Sequence, residues 1–314
     1  MKVAVIHIDS HSLQLTLATL AEDGTIAILG DFCQDAGISE RISREGHLDP
    51  ESVAVVVAGL KSFRHIVRQQ TGLDQFKVYG TSGLGRAPNA KQFLDRVQQA
   101  VDVPATVLSA NDEVAYSYLA NHDTIPPSPG QMLVTVEVGG DGTRIAVGDG
   151  ERLLEVFTVH HGASTLTRKF LNSLAPSPED CLQLSEFLNE KLNLDAVKKT
   201  IGSRSFTLVS AGRNITALVN MAQGSSDHDR SRVHGSTLSL ETIYEWYCLL
   251  ARTPVNQRAE FPGLPLALAQ VILAGAGLHL FVMDKLGIGE TVVSDNGIRH
   301  GMVRELLGLE RPFQ

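Results

Sequence analysis

Val134-Thr135-Val136-Glu137-Val138-Gly139-Gly140-Asp141-Gly142-Thr143-Arg144-Ile145-Ala146-Val147 is the stretch on which the reading of this 314-residue chain turns. Val134, Val136 and Val138 recur at period two, the pattern of a half-buried strand. Gly139, Gly140 and Gly142 then allow a turn in which no Cβ keeps a ligand from the backbone N–H groups. Such a loop suits an oxyanion, phosphate above all. Glu137 closes the strand, where a carboxylate can hold a metal or activate a water.

A glycine hairpin by itself is equally an ordinary tight β-turn. The phosphate reading gains from a second copy. Val5-Ile6-His7-Ile8-Asp9-Ser10-His11-Ser12-Leu13-Gln14-Leu15-Thr16-Leu17 has the same plan of apolar strand, short polar turn and alternating strand. Superposing the two sets His7 on Glu137, Asp9 on Gly139 and Gln14 on Arg144. One hairpin opens each half of the chain, which predicts a duplicated α/β unit with a cleft between the halves.

The length suits two domains of ordinary size. No apolar run approaches the roughly 20 residues that span a bilayer, and the N-terminal Val3-Ala4-Val5-Ile6 is too short for a signal segment. The richest apolar run, 271–282, fits a buried helix. Cys33, Cys181 and Cys248 are odd in number and widely spaced, matching neither a metal knuckle nor a disulfide framework, so a reducing cytoplasm is expected. A net charge of −8 argues against general nucleic-acid binding. A polyanionic ligand then needs a local basic patch, for which Arg86 with Lys91, Arg144, Arg168 with Lys169, Arg213, and Arg230 with Arg232 are candidates.

In chain order, strands are expected at 2–8, 13–20 and 26–34. Asp49 caps a helix that starts at Pro50 and ends before Gly72. A strand at 76–79 runs into a second glycine-rich loop, 80–86, with Asn89 as the cap of a helix over 90–101. A strand at 105–108 precedes a helix to 120 with Asp112 and Glu113 in its first turn, where the helix dipole alone favours carboxylates. Residues 121–130, with Pro126-Pro127-Ser128-Pro129-Gly130, read as a linker. The expected domains are 1–125 with 298–314, and 126–297. The second half repeats the plan: strands at 132–138, 143–148 and 153–159, helices at 163–171 and 178–192, then a buried strand at 207–210. Ala211-Gly212-Arg213-Asn214 follows, with Asn214 as helix cap, a geometry that suits anions. Residues 223–236 read as an exposed loop with surface histidines at 228 and 234. Helices at 240–251 and 266–286, a strand at 291–293 and a last helix to 307 complete the chain.

This order of motifs resembles the Ppx/GppA family, the exopolyphosphatases and guanosine pentaphosphate phosphohydrolases, which share the actin, Hsp70 and sugar-kinase fold. Eight blocks carry the resemblance in sequence order, ending with Val293-Ser294-Asp295-Asn296-Gly297-Ile298-Arg299-His300-Gly301-Met302-Val303. It implies duplicated actin/ribonuclease-H-like domains, and a hydrolase that releases terminal phosphate from polyphosphate or guanosine pentaphosphate with Mg²⁺. It also implies that Asp112 or Glu113 orients the water. Asp9 and Glu137 are the metal candidates, and Glu137 is a further catalytic candidate. Ser12, Arg86, Gly139, Gly140, Thr143, Arg144, Gly212 and Arg213 form the expected phosphate cradle.

The sequence departs from the family pattern at several positions. His7, Asp9 and His11 stand where Asp, Gly and Asn are usual. Asp141 occupies a loop glycine's place, and Arg144 replaces a glutamate. Gly85 replaces an arginine, with Arg86 displaced by one, and Leu268 replaces another. Two readings follow: an active hydrolase with rearranged ligands, or a member that binds a phosphorylated ligand or a protein partner without turnover. A sugar-kinase-like phosphotransferase is disfavoured by the family's C-terminal blocks. A long polymer would use the two-domain body, which a homodimer could extend.

Overall fold

The computed structural model describes residues 1–9, 12–38, 47–150 and 152–309. Among these residues contacts define two units: Met1–Ala120 with 298–309, and Asn121–Gly297.

In the first unit β1 (Lys2–Ile8), β2 (Ser12–Leu20) and β3 (Ile26–Asp35) form an antiparallel meander. Then come α1 (Pro50–Arg68), β4 (Leu73–Gly80), the single turn α2 (Ser82–Gly85), α3 (Ala90–Val101), β5 (Ala105–Val107) and α4 (Ala110–His122). The sheet order is β3-β2-β1-β4-β5, with β4 parallel to both β1 and β5. Asp49 caps α1, accepting from the N–H groups of Glu51 and Ser52 at 2.9 and 3.0 Å. Val53, Val56, Leu60, Phe63 and Val67 share the buried face of α1. Each such side chain contributes roughly 1.5–3 kcal/mol on burial. Gly59 lets α1 lie on β2: a Cβ there would meet Leu13 Cδ1 at 2.6 Å.

The second unit repeats the meander with β6 (Met132–Val138), β7 (Thr143–Gly148) and β8 (Leu153–Val159). Helices α5 (Ala163–Phe170), α6 (Pro178–Lys191) and α7 (Asp195–Ile201) lead to β9 (Phe206–Ala211) and α8 (Arg213–Ala222). After α9 (Arg230–Val233) come β10 (Thr237–Ser239), α10 (Leu240–Arg252), α11 (Val255–Arg258), a 3-10 turn (Leu266–Leu268), α12 (Ile272–Leu286) and β11 (Glu290–Ser294). The order is β10-β11-β9-β6-β7-β8. Numbered from its own first strand, the first sheet reads 3-2-1-4-5 and the second 3-2-1-4-6-5, so the two share the order 3-2-1-4. The second adds β10, antiparallel, at its edge. The expected buried helix over 271–282 is the body of α12, buried from Ile272 through His279.

The last helix, α13 (Ile298–Leu306), packs on β1 and β2 of the first unit. Arg299 donates twice to Asp31 on β3, Nε to Oδ1 at 3.0 Å and Nη2 to Oδ2 at 2.7 Å. Gly301 brings α13 against α4, since a Cβ there would lie 2.1 Å from the Tyr116 carbonyl oxygen.

Several local expectations need correction. Asn89 sits at the N-cap of α3 but does not cap it; its side chain bridges the N–H and carbonyl of Leu48 at 2.9 and 2.8 Å. Asn214 is not a cap: Gly212, at φ 102°, is the N-cap, and Asn214 lies inside α8 against α12. There a Cβ on Gly275 would meet Asn214 Cγ at 2.6 Å. The glycine-rich loop 80–86 contains the helical turn α2, and 223–236 contains α9. Helix α7 and strand β10, each too short to leave a periodic signature, were not expected. The predicted helix from 266 is a 3-10 turn and then, from Ile272, an α-helix.

Candidate functional site

Each unit gathers candidate residues at the carboxyl ends of its parallel strands, where open α/β sheets bind ligands. The two hairpins close in the same way. Asp9 N–H donates to the Ser12 carbonyl at 2.9 Å, and Gly139 N–H donates to the Gly142 carbonyl at 2.9 Å. In the ladders His7 faces Gln14 as Glu137 faces Arg144. The superposition of His7 on Glu137, Asp9 on Gly139 and Gln14 on Arg144 is thus reproduced by the strand register. His11 lies outside the described residues.

In the first unit Thr81 N–H donates to the Ile8 carbonyl at 3.1 Å, and Leu108 N–H to the Gly80 carbonyl at 2.9 Å. Glu113 is fully buried, and its Oε1 accepts from the Ser82 N–H at 2.5 Å, holding the start of α2. Asp112 is half-buried and reciprocates with Ser109: the Ser109 hydroxyl donates to Asp112 Oδ2 at 2.7 Å, and Asp112 N–H donates to Ser109 Oγ at 3.1 Å. Ser12 is buried, and its hydroxyl oxygen accepts from Gln14 Nε2 at 3.0 Å. Arg86 is exposed at the end of α2. At Gly85 a Cβ would come 2.8 Å from Val107 Cγ1, so packing favours glycine where the family has arginine.

In the second unit the glycine hairpin is clamped from behind. Gly139 and Gly140 turn their carbonyls onto the first N–H groups of α5: Ala163 to Gly139 at 2.9 Å, Ser164 to Gly140 at 2.9 Å, Thr165 to Gly140 at 3.2 Å. A Cβ on Gly162 would lie 2.4 Å from the Gly139 carbonyl oxygen. The α5 N-terminus is therefore spent on the hairpin and offers those N–H groups to no anion. Thr143 is fully buried and donates its hydroxyl to the His161 carbonyl at 2.8 Å. Glu137 pairs with Ala211 on one side and Arg144 on the other, and Arg144 with Thr158. Gly212 meets the same edge, where a Cβ would lie 3.2 Å from the Val138 carbonyl oxygen. Arg213, half-buried, begins α8 directly behind it. Leu268 is buried in the core.

Sequence reasoning missed two features. Thr81 is buried with a hydroxyl that has no hydrogen-bond partner among the described residues, at the turn between β4 and α2. The second feature is a network on the β11 turn. His228 Nε2 and Asp295 Oδ2 are 3.1 Å apart, Arg230 Nη1 donates to the same oxygen at 3.3 Å, and Arg230 Nη2 donates to Asn296 Oδ1 at 2.5 Å. Asn296 in turn donates to Thr124 Oγ1 at 2.8 Å. The hydrogen bond to Asp295 raises the His228 pKa, against burial, which lowers it. These partners lie more than sixty residues apart, so no local pattern announces them.

Among the described residues no group of three or more His, Cys, Asp or Glu side chains is set to hold a metal. No helix among them is long and apolar enough to cross a membrane.

A three-strand meander followed by parallel strands, repeated in two units whose first hairpins close alike, defines an α/β protein of two actin-like domains. The chain belongs to the Ppx/GppA phosphatase family, whose sequence model matches residues 20–310. It is 21% identical over 310 residues to exopolyphosphatase 1 of Mycobacterium tuberculosis, covering 99% of this chain and 89% of that one. The crystal structure of the Aquifex aeolicus Ppx/GppA family member is similar at 28% identity, covering 98% of both chains, with a TM-score of 0.84. An exopolyphosphatase from Cytophaga hutchinsonii shares the fold at 17% identity over 99% of each chain, with a TM-score of 0.88.

Proposed function

We propose that this protein hydrolyses a terminal phosphoanhydride of inorganic polyphosphate or of a guanosine polyphosphate, by attack of an oriented water. The observation that carries the reading is the matched closure of the Asp9–Ser12 and Gly139–Gly142 turns at the strand ends of two like units. Phosphoryl transfer asks little covalent chemistry of a protein and much positioning of charge and backbone donors. With the Gly139 and Gly140 carbonyls engaged behind the loop, the Gly140–Gly142 segment and the Gly212–Arg213 turn are the elements left to meet an anion. Asp112, half-buried, takes the role of base. Glu113, fully buried on the Ser82 N–H, positions the turn beside it.

Mg²⁺ is commonly held by one or two carboxylates plus substrate phosphates, so a full protein cage is not required. Asp9, half-buried at a hairpin mouth, fits that donor chemistry. Glu137 fits it less well, because Arg144, a cation, stands opposite it in the ladder. The ion would supply charge neutralisation on the phosphate oxygens.

Phosphate release from polyphosphate and from guanosine pentaphosphate, with Mg²⁺, tests the proposal. Release should fall by roughly a hundredfold or more in Asp112→Ala. A second reading, ligand binding without turnover, is favoured by the engagement of Asp112 and Glu113 in backbone caps and by Arg144 facing Glu137. Binding of these ligands with no release would select it. Neither binding nor release would overturn the ligand class.

A further inference from the structure

Helix α10 buries Ile243 and Leu250 and turns the opposite stripe to solvent. Glu241, Glu245, Cys248 and Arg252 follow one another along that stripe at helical spacing, with Tyr244 and Leu249 on its two flanks. Tyr244 is 59% exposed and Leu249 44%. The neighbouring helix α6 adds Leu182, 52% exposed. The two helices meet on α12, where a Cβ on Gly277 would touch Tyr247 Cε2 at 3.2 Å and Leu184 Cδ2 at 3.7 Å. Val255 N–H donates to the Leu174 carbonyl at 2.8 Å, so the end of α10 lies beside the approach to α6, and Leu174 is 64% exposed there. Single exposed apolar residues are ordinary on a protein surface, but several on the outer side of one helical layer mark a contact.

The charges on the stripe have an order. Glu241 and Glu245 lie toward the start of α10 and Arg252 at its end, and none of the three makes an ion pair among the described residues. The helix dipole favours that order, but it gives no reason for a tyrosine and a leucine in water between the charges. The pattern is self-complementary. Laid end for end against a second copy, with the midpoint between Trp246 and Tyr247, Glu241 stands opposite Arg252 and Glu245 opposite Cys248. Tyr244 and Leu249 then fall at the same level on either side of the seam. A parallel second copy would instead set Glu241 against Glu241 and Arg252 against Arg252.

We propose that the outward face of α10, widened by Leu182 of α6, is a two-fold contact at which two copies of this chain dimerise with their α10 helices antiparallel. In a two-fold contact the same patch serves both partners, so each complementary pair occurs twice. Two Glu241–Arg252 pairs then bracket a centre built from Tyr244 and Leu249 of both copies. Burial of those side chains drives association. The ion pairs, at the rim, set orientation more than affinity, whereas like charges face to face oppose docking. A helix of 13 residues is about 20 Å long. A stable interface buries roughly 800 Å² on each partner, more than one such helix face presents, so Leu182 and Leu174 are needed to complete the patch. The contact is independent of the phosphoanhydride reading and stands or falls without it.

The test is sedimentation velocity of the full chain over a range of about 1 to 100 μM. The wild-type chain should show a concentration-dependent dimer. Glu241→Arg alone sets arginine against arginine, and Arg252→Glu alone sets glutamate against glutamate, so each should weaken the dimer about tenfold or more. An equimolar mixture of the two variants should restore it, because both pairs of the mixed dimer are again opposite in sign. No change in the folding of a single chain can produce that recovery. Tyr244→Glu should also leave monomers, with an unchanged circular dichroism spectrum. A wild-type chain that stays monomeric over the whole range overturns the proposal. So does a dimer that either charge reversal or Tyr244→Glu leaves intact, and so does a mixture of the two charge variants that stays monomeric.

Discussion

Glu137 and Arg144 stand directly opposite one another in the β6–β7 ladder, one residue pair from the glycine hairpin. Directly opposed residues share a face of the sheet, so a carboxylate and a guanidinium are matched there. Arg144→Glu would set two carboxylates against each other and should cost about 1 kcal/mol in urea unfolding. The exchange Glu137→Arg/Arg144→Glu should recover most of that loss. A double-mutant cycle with no coupling energy would show that the two side chains do not interact.

Three glycines make a graded test of the packing. Gly162 and Gly301 have backbone carbonyl oxygens at 2.4 and 2.1 Å from an added Cβ, and backbone cannot step aside as a side chain can. Gly162→Ala and Gly301→Ala should each cost about 3 kcal/mol. The first should also weaken phosphate binding, by displacing the hairpin. Gly289 has nothing within 4 Å and no positive φ, so Gly289→Ala should be neutral or stabilising by about 0.5 kcal/mol. Thermal melts of the three variants give the ranking.

His279 is buried in α12, and neither ring nitrogen has a hydrogen-bond partner among the described residues. Burial pushes its pKa from 6.5 down to about 3. Because the folded value is depressed, the unfolded chain takes up the proton first. Its contribution is complete above about pH 6.5 and is lost as pH falls toward 3. Between pH 7 and pH 5 the loss should be about 2 kcal/mol. His279→Leu should flatten the stability profile in that window. His228 has the opposite sign: its raised value means a contribution present below about pH 6.5 and lost as pH rises through the folded pKa. An unchanged profile in the leucine variant would refute the assignment.

Asp31 ties the chain's last helix to its third strand. Burial alone would raise its pKa, but hydrogen bonds from His300 and Arg299, with the Arg299 charge, hold it well below the usual carboxylate range. Thr16 adds a hydroxyl donor at 2.9 Å. Asp31→Ala should cost about 2 kcal/mol and raise hydrogen exchange in α13 before elsewhere. The folded value being depressed, this contribution is present above about pH 4 and lost as pH falls through the folded pKa. Equal exchange in α13 of both proteins would argue against the tether.

Strand alternation and turn glycines made the six meander strands legible, because both signals are local. The pairing of the two hairpins was legible for the same reason: a shared pattern of strand, polar turn and strand fixes register once one residue is aligned. The capping role of Asp49 was readable, and those given to Asn89 and Asn214 were misplaced. An asparagine beside a helix start caps it only if no better partner arrives: Leu48 takes the Asn89 side chain, and Asn214, two residues past the N-cap Gly212, donates to the Val138 carbonyl at 3.4 Å. His228 and Arg230 fell in a stretch whose polar composition reads as plain loop, and their partners Asp295 and Asn296 lie more than sixty residues further on.

By itself, then, the sequence determined where the longer strands and helices form, and that two like units succeed one another. Those features depend on residues within a few positions of each other. Tertiary structure decided what each polar group does. Glu113 became the anchor of the Ser82 turn, and the α5 N-terminus was spent on the Gly139 and Gly140 carbonyls. Lys169 came to rest over Phe187. A hydrogen bond or a cation over a ring needs its partner within a few ångströms, and the folded backbone alone brings such residues together.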